Sequence, residues 1–196
     1  IKVPSGGGLA FEVPSTDPHS PDLQKEFNAI ILFQQPMMSY YKEKYTGGSQ
    51  APDCGSFDCV NGIERDTGVV HACKDCPYNQ FGSGENGGKA CKTKRRIYLL
   101  KEGSSLPVVL NIPTGSYKEF SNYVFSIVGA NLKTNQVITK FSLAKAQNKT
   151  NITFSKVVLT YVATLNDEQK AQVEKMSEQV KALASRQSLA EADIEE

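Results

Sequence analysis

The sequence predicts a mainly β, α+β fold: an OB-like β-barrel interrupted by one helix, followed by a C-terminal helix and carrying a cysteine-rich insertion. Other α+β arrangements are compatible with the same composition. Three observations lead there. Short apolar stretches recur along most of the chain, a single capped amphipathic stretch breaks them, and all five cysteines fall between residues 54 and 91. At 196 residues and 39% hydrophobic content the chain can bury a real core. No run of about 18 apolar residues occurs, so no membrane helix is expected.

In order, residues 1–22 are rich in Gly, Pro and Ser and read as a flexible arm, with a short strand at 9–13. "FNAIILF" (27–33) is a strand, short and apolar, before aromatics and lysines lead into loop chemistry. After the cysteine segment, "RRIYLL" (95–100) and "SLPVVLNI" (105–112) read as strands joined by a turn at 101–104. Pro113 ends that pattern, and Ser116 with Glu119 forms a capping box for a helix running to Gly129. Residues 135–146 and 152–163 alternate as two long strands. Asn166 caps a last helix whose stripe is Val173, Met176, Val180 and Leu183, a docking face. The boundaries expected are an arm at 1–22, a body at 23–165 with an insertion at 51–93, and a helix with acidic tail at 166–196.

Cysteine number and spacing decide the insertion's chemistry. Five is an odd count, and a chain of this length needs no disulfide staples. Cys73-Lys-Asp-Cys76 runs into Pro77 and a glycine-rich loop, not into the helix that a thioredoxin-like redox pair requires. A structural zinc fits better. Cys73 and Cys76 make a knuckle, because two intervening residues let both sulfurs reach one ion. Fourteen residues separate Cys76 from Cys91, and 18 separate Cys54 from Cys73, close to zinc-ribbon spacing. Cys54 is the preferred fourth ligand, with Cys59 the alternative and His71 a weaker one. Nine of the chain's 15 glycines lie between residues 46 and 93, with few large aliphatics. Such a segment buries too little apolar surface to offset its ordering entropy, and a zinc ion supplies folding free energy on the order of 10 kcal/mol.

Charge is unevenly placed. The net charge is +1, yet residues 166–196 carry eight acidic and four basic side chains. Lys89, Lys92, Lys94, Arg95, Arg96 and Lys101 form a basic run without an acid. A basic body with an acidic tail suits a polyanionic partner; a solvated strand edge is the plainer reading. Enzyme chemistry is not expected. Four thiolates leave a metal no open position, and the two histidines, His19 and His71, lack the H-x-E spacing of zinc deaminases.

"GGSQAPDCGS", "CKDCPYNQFGSG", "GGKACKTKRRIYLL", "LPVVLNIPTGSYKEFSNYV" and "VITKFSL" together resemble a family of bacteriophage and mobile-element proteins. It is a zinc-containing OB-fold family that binds single-stranded DNA, and the resemblance covers roughly residues 28–163. Two departures stand out: "IPTGSYKEF" has one proline where the family pattern often has two, and Cys59 stands where a polar residue is expected. The resemblance implies zinc at Cys54, Cys73, Cys76 and Cys91, a non-enzymatic role in phage DNA replication or recombination, and the cytoplasm of an infected bacterium. Single-strand binding requires cations for phosphates and rings for bases. The candidates are Tyr40, Tyr41, Lys42, Lys44, Tyr45, Tyr78, Phe81, Lys89, Lys92, Lys94, Arg95, Arg96 and Tyr98. The acidic C-terminus would recruit replication or recombination proteins or simply solubilise the chain, and oligomers are compatible with this picture. The competing expectation is a zinc-stabilised interaction subunit of a phage replication or transcription assembly.

Overall fold

A computed structural model describes residues 1–15, 17, 20–43, 51–148 and 151–185. Ten strands and two α-helices are present among them: β1 Phe11–Val13, β2 Asp22–Gln24, β3 Glu26–Tyr40, β4 Cys54–Ser56, β5 Asn61–Glu64 and β6 Val70–Ala72. The rest are β7 Lys92–Lys101, β8 Val108–Ile112, α1 Tyr117–Gly129, β9 Val137–Gln147, β10 Thr153–Thr164 and α2 Asp167–Ala184. The protein is thus mainly β with two helices, an α+β fold. β1 and β2 form a two-stranded sheet. The other eight strands form one sheet of order β10-β9-β3-β4-β5-β6, with β7 pairing β3 and β8. Among the described residues the strands form this open order and no closed barrel. The chain divides into two compact units, residues 1–34 with 96–185, and residues 35–95.

The first unit holds both apolar clusters found among the described residues. β3 and β7 are apolar on both faces, so each face gathers its own cluster. On one face lie Phe27, Ala29 and Ile31 of β3 with Ile97 and Leu99 of β7, covered by Phe120, Tyr123 and Ile127 of α1. On the other lie Leu32 and Tyr98, covered by Val173, Val180 and Ala184 of α2. Phe27 stacks on its register partner Phe141 at 5.1 Å between ring centroids, and Phe11 meets Phe27 edge-on at 5.0 Å. Within the segment read as an arm, Phe11 and Val13 are core residues, and Lys2 bridges Glu12. Leu183 of the expected α2 stripe is exposed, and Ser177 and Ala184 are buried in its place.

β3 runs well past the expected end at residue 33. Gln35, Met37 and Ser39 are buried while their neighbours are less so, which keeps the two-residue period through Pro36. The Asn166 cap of α2 is present and reciprocal. Its Oδ1 accepts from the Gln169 amide at 2.9 Å, and Gln169 Oε1 accepts from the Asn166 amide at 3.0 Å.

The expected box at the start of α1 is absent. Ser116 makes no side-chain cap; its Oγ accepts instead from the buried Val157 amide at 2.9 Å, and Glu119 pairs with Lys156 at 2.8 Å. The reason lies in the sheet. β10 is an edge strand whose outward amides need partners, and the first turn of α1 supplies one. Ser116→Ala should therefore destabilise the protein by about 1–3 kcal/mol in denaturant unfolding, the cost of orphaning a buried amide. An unchanged midpoint would show that Val157 has another partner.

Candidate metal centre and nucleic-acid interface

The second unit, residues 35–95, is built from the end of β3, the small strands β4, β5 and β6, and a glycine-rich loop returning to β7. Cys54 opens β4, opposite Glu64 of β5 and Tyr40 of β3. Cys73 follows β6, and its amide donates to the Val60 carbonyl at 2.8 Å. Cys76 precedes a single 3-10 turn, Pro77–Asn79, in which the proline sits at the first position, where its missing N–H costs nothing. Cys91 is drawn back by its own amide, which donates to the Tyr78 carbonyl at 2.8 Å.

Cys54, Cys73, Cys76 and Cys91 all line one cavity of about 530 Å³; Cys59 is not among its lining residues. Gly62 forms part of the wall. A Cβ added there would stand 3.2 Å from Cys54 Sγ and 3.4 Å from Cys73 Sγ, so glycine is what leaves these sulfurs room. Asp53, Glu64, Asp66, His71 and Asp75 also line the cavity, and His71 Nε2 lies 2.9 Å from Glu64 Oε1. None of the five cysteines is in a disulfide. Among the described residues, no group of three or more His, Cys, Asp or Glu is drawn up in an arrangement that could hold an ion.

The electrostatics explain what a cation would change there. Burial, then the neighbouring Cys54, Cys73, Cys76 and Cys59, pushes the Cys91 thiol up to about 12. Burial, then Cys73 and Cys76, raises Cys54 as well. With both raised, Cys54 and Cys91 stay protonated unless a divalent cation inverts the balance. In donor chemistry the set fits a tetrathiolate zinc, which these four residues would hold, and such a metal would supply folding free energy rather than chemistry. Cys59 takes φ +60°, and burial first, then Cys73, pushes its thiol to about 11, with Arg95 pulling the other way. The preceding Asp58 fixes this turn: Oδ1 accepts from Ser56 Oγ at 2.9 Å and from the Val60 and Asn61 amides at 2.7 and 2.8 Å.

The candidate nucleic-acid side chains separate by burial. Tyr40 and Tyr78 stack at 4.1 Å with 17° between their planes. Lys94 Nζ stands 5.6 Å over the Tyr41 ring, and Lys89 Nζ stands 5.1 Å over the Phe81 ring. Phe81 is 83% exposed. Lys42 lines the cavity, and its amide donates to Asp53 Oδ2 at 2.7 Å. Lys92 is exposed, its ammonium donating to the Lys89 carbonyl at 2.6 Å, and Arg95 is half-buried. Lys44 and Tyr45 lie outside the described residues.

Two candidates belong to the first unit and are buried there. Arg96 is 1% exposed and donates through Nε to Asn111 Oδ1 at 3.2 Å. Tyr98 is buried with its ring 5.9 Å from Phe33. Both follow from β7 turning every second side chain toward the α2 face. Two residues that the motif reading passed over also matter: Gly62 in the cavity wall, and Asn79, which ties the knuckle to the loop. The sequence signal for Asn79 is its place two residues after Pro77, within the segment "CKDCPYNQFGSG".

The purified protein should carry one zinc per chain by elemental analysis, and Cys91→Ser should lose it. Gly62→Ala should lower zinc affinity on the order of tenfold in chelator competition, since its methyl intrudes between two sulfurs. Unchanged affinity in Gly62→Ala would show that the sulfurs do not close beside this glycine.

Compared with protein-family models, curated proteins and solved structures, the chain matches none, and its own geometry carries the functional reading that follows.

Proposed function

We propose that the protein binds single-stranded DNA without catalysing a reaction, in replication or recombination of a phage or mobile element, as an OB-like fold with structural zinc. The ligands in this reading are Cys54, Cys73, Cys76 and Cys91, and the place of action is the cytoplasm of the infected host. The observation that carries it is the pairing of rings with ammonium groups in the second unit, Phe81 with Lys89 and Tyr41 with Lys94. Such a pair matches a nucleotide, with a flat apolar face for the base and a cation for its phosphate. Among the described residues, Lys89 and Lys92 form no ion pair with a carboxylate, so their charge remains available to a polyanion. Four of the unit's acids, Asp53, Glu64, Asp66 and Asp75, line the cavity wall. No helix among the described residues is long and apolar enough to cross a membrane. The acidic tail, proposed to recruit replication or recombination proteins, lies outside the described residues.

A second reading has its own observation. Val60, Val69 and Val70 of the same unit are 62%, 47% and 59% exposed, an apolar surface suited to a protein partner in a phage assembly.

Fluorescence anisotropy with a labelled dT oligonucleotide of about 30 nucleotides separates the two. With about four phosphates contacted, the affinity should fall about 50-fold between 50 and 200 mM salt, and a duplex of equal length should bind more weakly. Absence of single-strand binding at low salt would reject the reading and leave the apolar surface as the functional one.

A further inference from the structure

The loop between Cys76 and Cys91 has one feature that its fold does not use. Phe81 is 83% exposed at its tip, while the backbone beneath it is closely tied. The Gly82 amide donates to the Gly87 and Gly88 carbonyls at 3.0 and 3.1 Å, and the Gly84 amide to Gly88 at 2.9 Å. Ser83 Oγ donates to the Tyr78 carbonyl at 2.9 Å and accepts from the Ala90 amide at 3.0 Å. Gly82 takes φ +89°, a left-handed turn that glycine accepts without strain. A loop so restrained holds its apolar tip in water instead of folding it away.

Asn79 joins this loop to the cysteine knuckle. Its Nδ2 donates to the Cys73 carbonyl at 2.7 Å, and its Oδ1 accepts from Lys89 Nζ at 3.2 Å. The same ammonium lies over the Phe81 ring at 5.1 Å. One side chain therefore sets the position of the cation, and the cation covers part of one face of the ring. Tyr78, three residues earlier and 44% exposed, is backed by Tyr40 at 4.1 Å.

We infer that Phe81 is a base-stacking residue for single-stranded DNA, that Tyr78 offers an adjoining ring, and that Asn79 is a positioning residue holding Lys89 beside the strand. This rests on the single-strand reading above. A base laid on the open side of Phe81 buries its apolar face, and the neighbouring phosphate meets Lys89. The stacking part is insensitive to salt and the ionic part is not, so the two are separable by measurement.

The test uses the full chain and the dT oligonucleotide. Phe81→Ala, a change at an exposed site that leaves folding intact, should weaken binding on the order of tenfold or more with an unchanged salt slope. Lys89→Gln should reduce that slope by about 0.7. The protein has no tryptophan, so Phe81→Trp introduces a single reporter whose fluorescence should be quenched when dT binds. In that background Asn79→Ala should lower the tryptophan's anisotropy and its quenching while zinc content is retained. Phe81→Ala binding within twofold of the parent, or an unquenched Phe81→Trp that still binds dT, overturns the inference and leaves the single-strand reading standing. Failure of the parent protein to bind dT at all overturns both.

Discussion

Residues 35–95 are organised around thiols, not around apolar side chains. Both apolar clusters found among the described residues consist of residues from the other unit. In the second unit the buried set is largely Met37, Cys73 and the small or polar side chains of Gln35, Ser39 and Ser56. An ordered stretch of this size needs a source of free energy other than burial. Its cysteines, three of them raised in pKa by burial and by each other, are the groups able to provide it when a cation is bound. Asn79 links that arrangement to the proposed interface, through the Cys73 carbonyl on one side and the Lys89 ammonium on the other.

Much of the first unit was legible because two-sided strands and helical stripes follow from side-chain periodicity alone. "FNAIILF" and "RRIYLL" read as strands since no polar alternation interrupts them, and their double-faced burial is the physical counterpart. The Asn166 cap was legible because its partner, Gln169, lies three residues away. The Ser116 box was not, because its hydroxyl answers a β10 amide 41 residues distant. No local rule sees such a competitor. The extent of β3 was missed because the apolar run ends at Phe33, and beyond it burial follows the alternation of Gln35, Met37 and Ser39 through Pro36.

In the candidate site, spacing left Cys54 and Cys59 open as the fourth ligand and the resemblance favoured Cys54; Cys54, Cys73, Cys76 and Cys91 line one cavity. Composition alone could not sort the aromatic and basic residues. Phe81 and Tyr98 are equally apolar in sequence, but one is 83% and the other 6% exposed. Arg95 and Arg96 are neighbours, yet the stretch of β7 buried on both faces begins only at the second. Asn79 had no visible role because its two partners, Cys73 and Lys89, come from opposite ends of the loop.

The pairing of β9 with β10 has a bearing on how the first unit assembles. These strands lie side by side in sequence and match over most of their length, from Thr153 opposite Gln147 to Thr164 opposite Val137. Closing such a hairpin requires only a short loop, whereas Phe27 must find Phe141 across more than a hundred residues. Local pairs form in microseconds and distant ones wait for loop closure. The hairpin therefore closes at the lower entropic cost, and β3 pairs along the edge of β9 opposite β10.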